Sequence, residues 1–334
     1  MRYVVNAVFK IALLIIFFPP VARSALIENS YRGNWAGIEV IGIDSVTAQK
    51  LRKLIPFQKG GDFALADIQK YKSKCQEIIK KNVPNSEGRC SCVLFDDKKV
   101  FLVADIFHND AKSKISLFRT IPKKKHGKIS KLPKKLHDPY VSLEEKRSFH
   151  LSQGKFPLEI IKDGYLDYED PTLHALAVQL SKYASEYNDI LLDIIHYSKD
   201  AEERRTAAIL FSWAKHPENI DLILKWNILF DPDTGVRNNI ARSYVFVMQD
   251  VKNKSLLKKL IPIYCKQVTI PSHTDRNKAL TSIFEILQAD KEILPIIDKE
   301  CKATIKYMSE ISILNNVGGV AKEIIKLFDD AENA

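Results

Sequence analysis

The chain lacks the short patterns from which catalysis is usually read. It has no Gly-rich phosphate loop, no His-Glu-x-x-His, no Gly-x-Ser-x-Gly and no Cys-x-x-Cys, so nothing points to P-loop, zincin, nucleophile-elbow or dithiol chemistry. Its histidines (His108, His126, His137, His150, His174, His196, His216 and His273) are scattered without ligand spacing, so no metal centre and no cofactor is expected. Paired carboxylates such as Asp96-Asp97, Glu144-Glu145 and Glu202-Glu203 fall in turns or at helix starts, where structural duty suffices. After the N-terminal apolar run no segment approaches the ~20 residues needed to cross a bilayer. Binding rather than catalysis is the expectation.

The N-terminal run itself reads as an export signal. Arg2 and Lys10 precede the apolar stretch Ile11 to Phe18, Pro19-Pro20 break it, and Ala22-Arg23-Ser24 set small residues before a cleavage between Ser24 and Ala25. An uncleaved anchor is the alternative. The formal charge of +10 is unevenly spread. Arg2, Lys10 and Arg23 supply three of the ten. Between Lys112 and Asp138, ten Lys or Arg face one acid, giving +9, so the remainder sums to about −2. The basicity belongs to one segment.

Ile38 to Gly42 alternates as a strand. Asp44 and Ser45 offer caps to a helix through Leu51 and Leu54 that Pro56 closes. A turn at Phe57 to Gly61 leads to a second helix, opened by Asp62 or by Ala66-Asp67, with Ile68, Tyr71, Cys75 and Ile78-Ile79 on one face. A hairpin follows, Cys90 to Phe95 and Val100 to Ile106 around Asp96 to Lys99. With Leu54-Ile55-Pro56-Phe57 followed by Lys59-Gly60-Gly61-Asp62, this stretch resembles a POTRA domain, the β-α-α-β-β module of outer-membrane assembly and secretion proteins. That resemblance implies a double-membraned bacterial host and a sheet edge open to strand addition. Gly60-Gly61-Asp62-Phe63 also echoes a diguanylate-cyclase signature, but Ala64-Leu65-Ala66 follow instead of acids, which sets that aside.

All five cysteines lie in the exported part, where disulfides persist. Cys90 and Cys92 share a strand face and compete for Cys75. Cys265 and Cys301 form the second candidate pair, and an odd count leaves one thiol over. The Pro- and Lys-rich stretch after His108 reads as a solvated linker. Its Lys123, Lys124, Lys125, Lys134 and Lys135 are candidates for an anionic lipid surface or an acidic partner. Nucleic acid is not expected, because only Phe118 interleaves the cations.

From Leu158 to Leu327 the periodicity is helical. Asp200 to Ala208 aligns with Asp233 to Ala241, superposing Arg204 on Arg237 at a step of 33, and Arg276 continues at 39. Fainter copies begin at Asp170 and Asn315. These steps resemble HEAT or armadillo-like repeats, which implies that Arg204, Asp233, Arg237 and Arg276 tie repeats together rather than meet a substrate. The expected fold is thus a small α+β N-terminal domain (β-α-α-β-β) followed by an all-α helical-repeat solenoid. The expected divisions are 1–24 signal, 25–37 lead, 38–107 POTRA-like domain, 108–155 linker, 156–330 repeats and 331–334 tail. The function expected is that of a non-enzymatic exported scaffold, an envelope adaptor in the periplasm whose partners are outer-membrane or secretion proteins. Two alternatives stand beside it: a secreted protein whose solenoid binds a host or environmental protein, and an enzyme with an unfamiliar site in the solenoid groove.

Overall fold

A computed structural model describes residues 32–332, apart from 58, 96, 109–117, 125–126, 154, 156, 163–164, 215–218 and 249–253. The expected signal and its Ser24-Ala25 cleavage site, and Lys125, lie outside the described residues. The fold is mixed α+β with a mostly helical part. Its contacts divide it into two units: one holds residues 32–108 and 254–332, the other 118–248.

In the first unit, β1 (Arg32–Ile41) leads to α1 (Ser45–Leu54), whose N-cap Asp44 accepts from the amides of Val46 and Thr47. Pro56 follows the helix end as expected. The turn at Gly60-Gly61 holds more structure than the sequence suggested, because β2 (Asp62–Ala64) pairs with the start of β1 before α2 (Ile68–Asn82) begins. The hairpin of β3 (Ser86–Leu94) and β4 (Lys99–His108) completes a sheet of order β2-β1-β4-β3, with β1 parallel to β4. At the end of β1, Gly42 has φ 97°, and a Cβ there would stand 1.9 Å from the Ile106 carbonyl oxygen. Only glycine lets the chain leave the strand at that point.

Both faces of this sheet are covered. Cys75 of α2 is bridged to Cys90 of β3, and Ile79 of α2 sits where a side chain on Gly88 would clash. That face carries Val40, Leu102, Ala104 and Ile106, all buried. The opposite face carries Glu39, Val103 and Asp105, equally buried. Strands covered on both sides lose the apolar-polar alternation of a half-exposed sheet. This explains the apolar run of Val100 to Ile106, broken by a single acid.

In the second unit, α3 (Lys134–Ser152) precedes the hairpin β5 (Glu159–Lys162) and β6 (Tyr165–Tyr168), followed by α4 (Pro171–Glu186), α5 (Asn188–Tyr197), α6 (Ala201–Leu210), α7 (Ile220–Lys225) and α8 (Thr234–Met248). Two expectations are corrected here. Residues 134–152, assigned to a solvated linker, form a helix whose Leu136, Tyr140 and Leu143 are buried. The stretch read as wholly helical also contains a hairpin, whose Asp163-Gly164 pair is a strong hairpin signal in sequence. Within the unit α3 packs on α4, α5 on α6, and α6 on α8.

The remaining helices, α9 (Lys254–Val268), α10 (His273–Ala289), α11 (Leu294–Ile311) and α12 (Val320–Glu332), belong to the first unit. The helical stretch read as one region, 156–330, is therefore divided between the two units. α9 packs on α10 and α11, α12 on α10 and α11, and a second bridge joins Cys265 to Cys301. Cys92 is the remaining cysteine, buried as a thiol that burial pushes up to about 12. Thiolate is the reactive form. A thiol reagent at about pH 8 should therefore leave the folded chain unlabelled, and denaturation without reductant should expose one thiol per chain. Two or more thiols without reductant would contradict this pairing.

Candidate functional site

The arginines singled out by the repeat alignment share one local geometry. Asp200 caps α6 by accepting from the amides of Glu202 and Glu203, Asp233 accepts from the Val236 amide at the start of α8, and Ser272 caps α10. Four residues after each cap stands Arg204, Arg237 or Arg276. Each guanidinium reaches back to the carbonyl two residues before the cap: Ser198 at 2.9 Å, Asp231 at 2.7 Å and Ile270 at 3.3 Å. These carbonyls lie outside the helix, so the arginine fixes the loop that feeds it. Buried backbone oxygens need such a donor.

The carboxylates that hold these guanidinium groups differ. Asp231, fully buried, is gripped bidentately by Arg204, with Nε to Oδ2 at 3.1 Å and Nη2 to Oδ1 at 3.0 Å. A second guanidinium, that of Arg119, donates to the same Oδ2 from Nε at 3.1 Å and Nη2 at 2.6 Å. Asp233 instead pairs with Arg205. In the first unit Arg276 pairs with Asp105, whose other oxygen accepts the His273 amide at the start of α10. Arg119 and Asp105 were not singled out by sequence reasoning. Each carried a signal: Arg119 is the one arginine in a lysine run, and Asp105 the one acid in an apolar strand.

Beside that pair the sheet carries a second carboxylate. Glu39 Oε2 accepts from the Ser312 hydroxyl and the Ile313 amide, whereas its Oε1 finds no partner among the described residues. Burial raises its pKa. His273 is enclosed, with Asn316 donating to its Nε2 at 3.3 Å, which leaves the proton on Nδ1. Burial first, then the charges of Arg276 and Lys278, lower its pKa to about 3.

The described lysines of the basic stretch differ in their surroundings. Lys124 pairs with Asp193, which also accepts the Ser130 amide, while Lys123, Lys134 and Lys135 are exposed. The stretch before α3 is thus tied to a helix at several points, contrary to the free linker expected. The acids it meets are far away in sequence.

Two features of the first unit are open to a partner. One is a pocket of about 550 Å³ lined by Trp35, Pro56, Phe57, Gly61, Asp62, Lys70, Tyr71 and Lys74. Trp35 stacks on Phe57 at 4.9 Å and meets Tyr71 edge-on at 5.1 Å. The Pro56-Phe57 and Gly61-Asp62 of the sequence resemblance form part of its wall. The other is the edge of β3. Phe95 donates to the Lys99 carbonyl, and antiparallel pairs alternate, so the main-chain groups of Gly88, Cys90 and Cys92 point away from β4. Among the described residues, no group of His, Cys, Asp and Glu stands close enough to hold a metal ion, and no helix is long and apolar enough to cross a membrane. Compared with known protein families, curated proteins and solved structures, the chain finds no match in any of the three.

The His273 site gives the first unit a defined acid response. An unfolded histidine titrates near about 6.5 and this one only at about 3, so the unfolded chain binds more protons between those values. The neutral histidine's contribution is complete above about pH 6.5 and is lost toward pH 3, at a slope near 1.4 kcal/mol per pH unit. Glu39, whose folded pKa is raised, acts oppositely and gains stability as pH falls toward its unfolded value. Denaturant midpoints at about pH 7 and pH 4 should therefore differ less for His273→Asn than for the unaltered chain. An equal loss in both would contradict this assignment.

Proposed function

We propose that the chain is an exported, non-enzymatic binding protein of a bacterial envelope. It takes an extended partner segment onto the β3 edge of its POTRA-like module and offers HEAT-like helices as a further surface. The single observation that carries this reading is the edge itself. β3 runs for nine residues at the border of the sheet, and among the described residues its outward main-chain groups have no backbone partner besides β4. Its accessible part, Ser86 to Ser91 with only Cys90 buried, is a template for strand addition, in which main-chain hydrogen bonds supply affinity and alternate side chains supply selectivity. Gly88, Cys90 and Cys92 turn toward α2, so Glu87, Arg89 and Ser91 are the side chains a visiting strand would meet. The exposed charges of Glu87 and Arg89 discourage indiscriminate pairing and favour a strand of matched charge.

The pocket beside β1 and β2 supports binding over turnover. Its lining has four apolar or aromatic side chains, two lysines, a single carboxylate and no histidine, a set that holds a ligand better than it moves protons. The recurring arginine geometry of α6, α8 and α10 supports the repeat reading, because the same side chain secures each helix to its preceding loop.

Photo-crosslinking residues at Glu87 and Arg89, in full-length protein produced in its own host, test the edge. The expected result is one discrete adduct with an envelope protein from either position and none from Lys53 on the exposed part of α1. Absence of any adduct from the two strand positions, with the protein found only in the medium, would refute the adaptor reading.

A further inference from the structure

Residues 118–124 and 127–130 run along the helical unit without regular structure and are held at successive points. The Arg119 amide donates to the Phe230 carbonyl, and the Phe118 ring lies under the Arg237 guanidinium at 4.6 Å. The Arg119 side chain enters a seat made of the Ile195 and His196 carbonyls and Asp231. Farther along, Lys199 donates to the Ile121 carbonyl, Lys124 pairs with Asp193, and the Ser130 amide ends on the same Asp193. These are the elements of recognition of an extended peptide: a backbone contact, one deep side-chain anchor, an aromatic neighbour and a flanking ion pair.

The anchor is the second guanidinium on its carboxylate. Asp231 is already engaged on both oxygens by Arg204, which also serves Ser198 and Lys199 carbonyls. Removing Arg119 therefore leaves no unpaired buried charge at Asp231, the condition that makes loss of a buried ion-pair partner severe. His196 adds to the seat. It stacks on Trp226 at 4.2 Å and presents Nδ1 to Arg119 at 3.3 Å, so the ring accepts there, and burial together with the Arg119 charge keeps it neutral. Asp231 thus stays paired without the strap, while Asp193, nearer the surface, loses Lys124 and the Ser130 amide.

The geometry points to this seat as an interaction surface for an extended partner segment in which an aromatic residue and arginine are followed, five positions on, by lysine. The chain's own Phe118, Arg119 and Lys124 fill it in cis. A surface occupied in this way shows a partner only the fraction of molecules whose strap is displaced, so apparent affinity falls by that fraction. Loosening the strap raises it.

The test uses the full chain and a fluorescent peptide with the sequence of residues 116–131, followed by anisotropy. Arg119→Ala in the chain should bind the peptide at least about tenfold tighter than the unaltered chain, and a peptide with alanine in place of its arginine should not bind. Lys124→Glu sets a charge against Asp193 at the outer end of the strap and spares the buried seat. It should bind the peptide with intermediate strength, even if Arg119→Ala compromises folding. Folded variants that take up no peptide would overturn the proposal, as would failure of both variants to fold, which would make the strap part of the core. Self-association of the Lys124→Glu chain without peptide uptake would overturn it equally.

Discussion

Two carboxylates on the inner face of a buried sheet set the terms for the first unit. Asp105 of β4 and Glu39 of β1 are both removed from water, a state that is costly for a charge without partners. Each is met from the C-terminal segment: Asp105 at the start of α10 by the His273 amide and the Arg276 guanidinium, Glu39 just after α11 by Ser312 and the Ile313 amide. The free His273 amide at the start of α10 carries partial positive charge, so that end suits the Asp105 anion. The sheet requires partners that its own neighbours in sequence do not provide, and residues 254–332 supply them across separations of 168 to 274 positions. The second unit is consequently an insertion in the sequence of the first.

The same economy of donors recurs along the helices. An arginine four residues after each of these three caps secures the incoming loop, and what differs between the helices is the acid that neutralises it: Asp231 for Arg204, Asp105 for Arg276. The excess positive charge of the chain follows this logic. Part of it is used internally, with Arg119 and Lys124 each finding an acid on the helical unit, while Lys123, Lys134 and Lys135 remain in solvent. A segment whose composition suggests a free tether can thus be ordered by a few directional contacts.

Local features were legible in the sequence and distant ones were not. Asp44 and Asp200 announce their helices because capping is decided within three residues, and the Cys75, Cys90 and Cys92 competition was visible from strand periodicity. The common position of Arg204, Arg237 and Arg276, four residues after a cap, was visible as well. By contrast β2 is three residues long and exists through pairing with β1, which no local propensity encodes. The roles of Arg119, Asp105 and Glu39 depend on partners more than 70 residues away, so composition alone assigned the first to a linker and left the other two unremarked.

The central claim is that β4 and α10 belong to one cooperative structure although they lie 171 residues apart at Asp105 and Arg276. Native-state hydrogen exchange measures it directly, because amides that open together share one opening free energy and one denaturant dependence. The account predicts that the most protected amides of β4 and α10 merge into a common opening. Exchange of α10 together with α8, at an opening separate from that of β4, would contradict it.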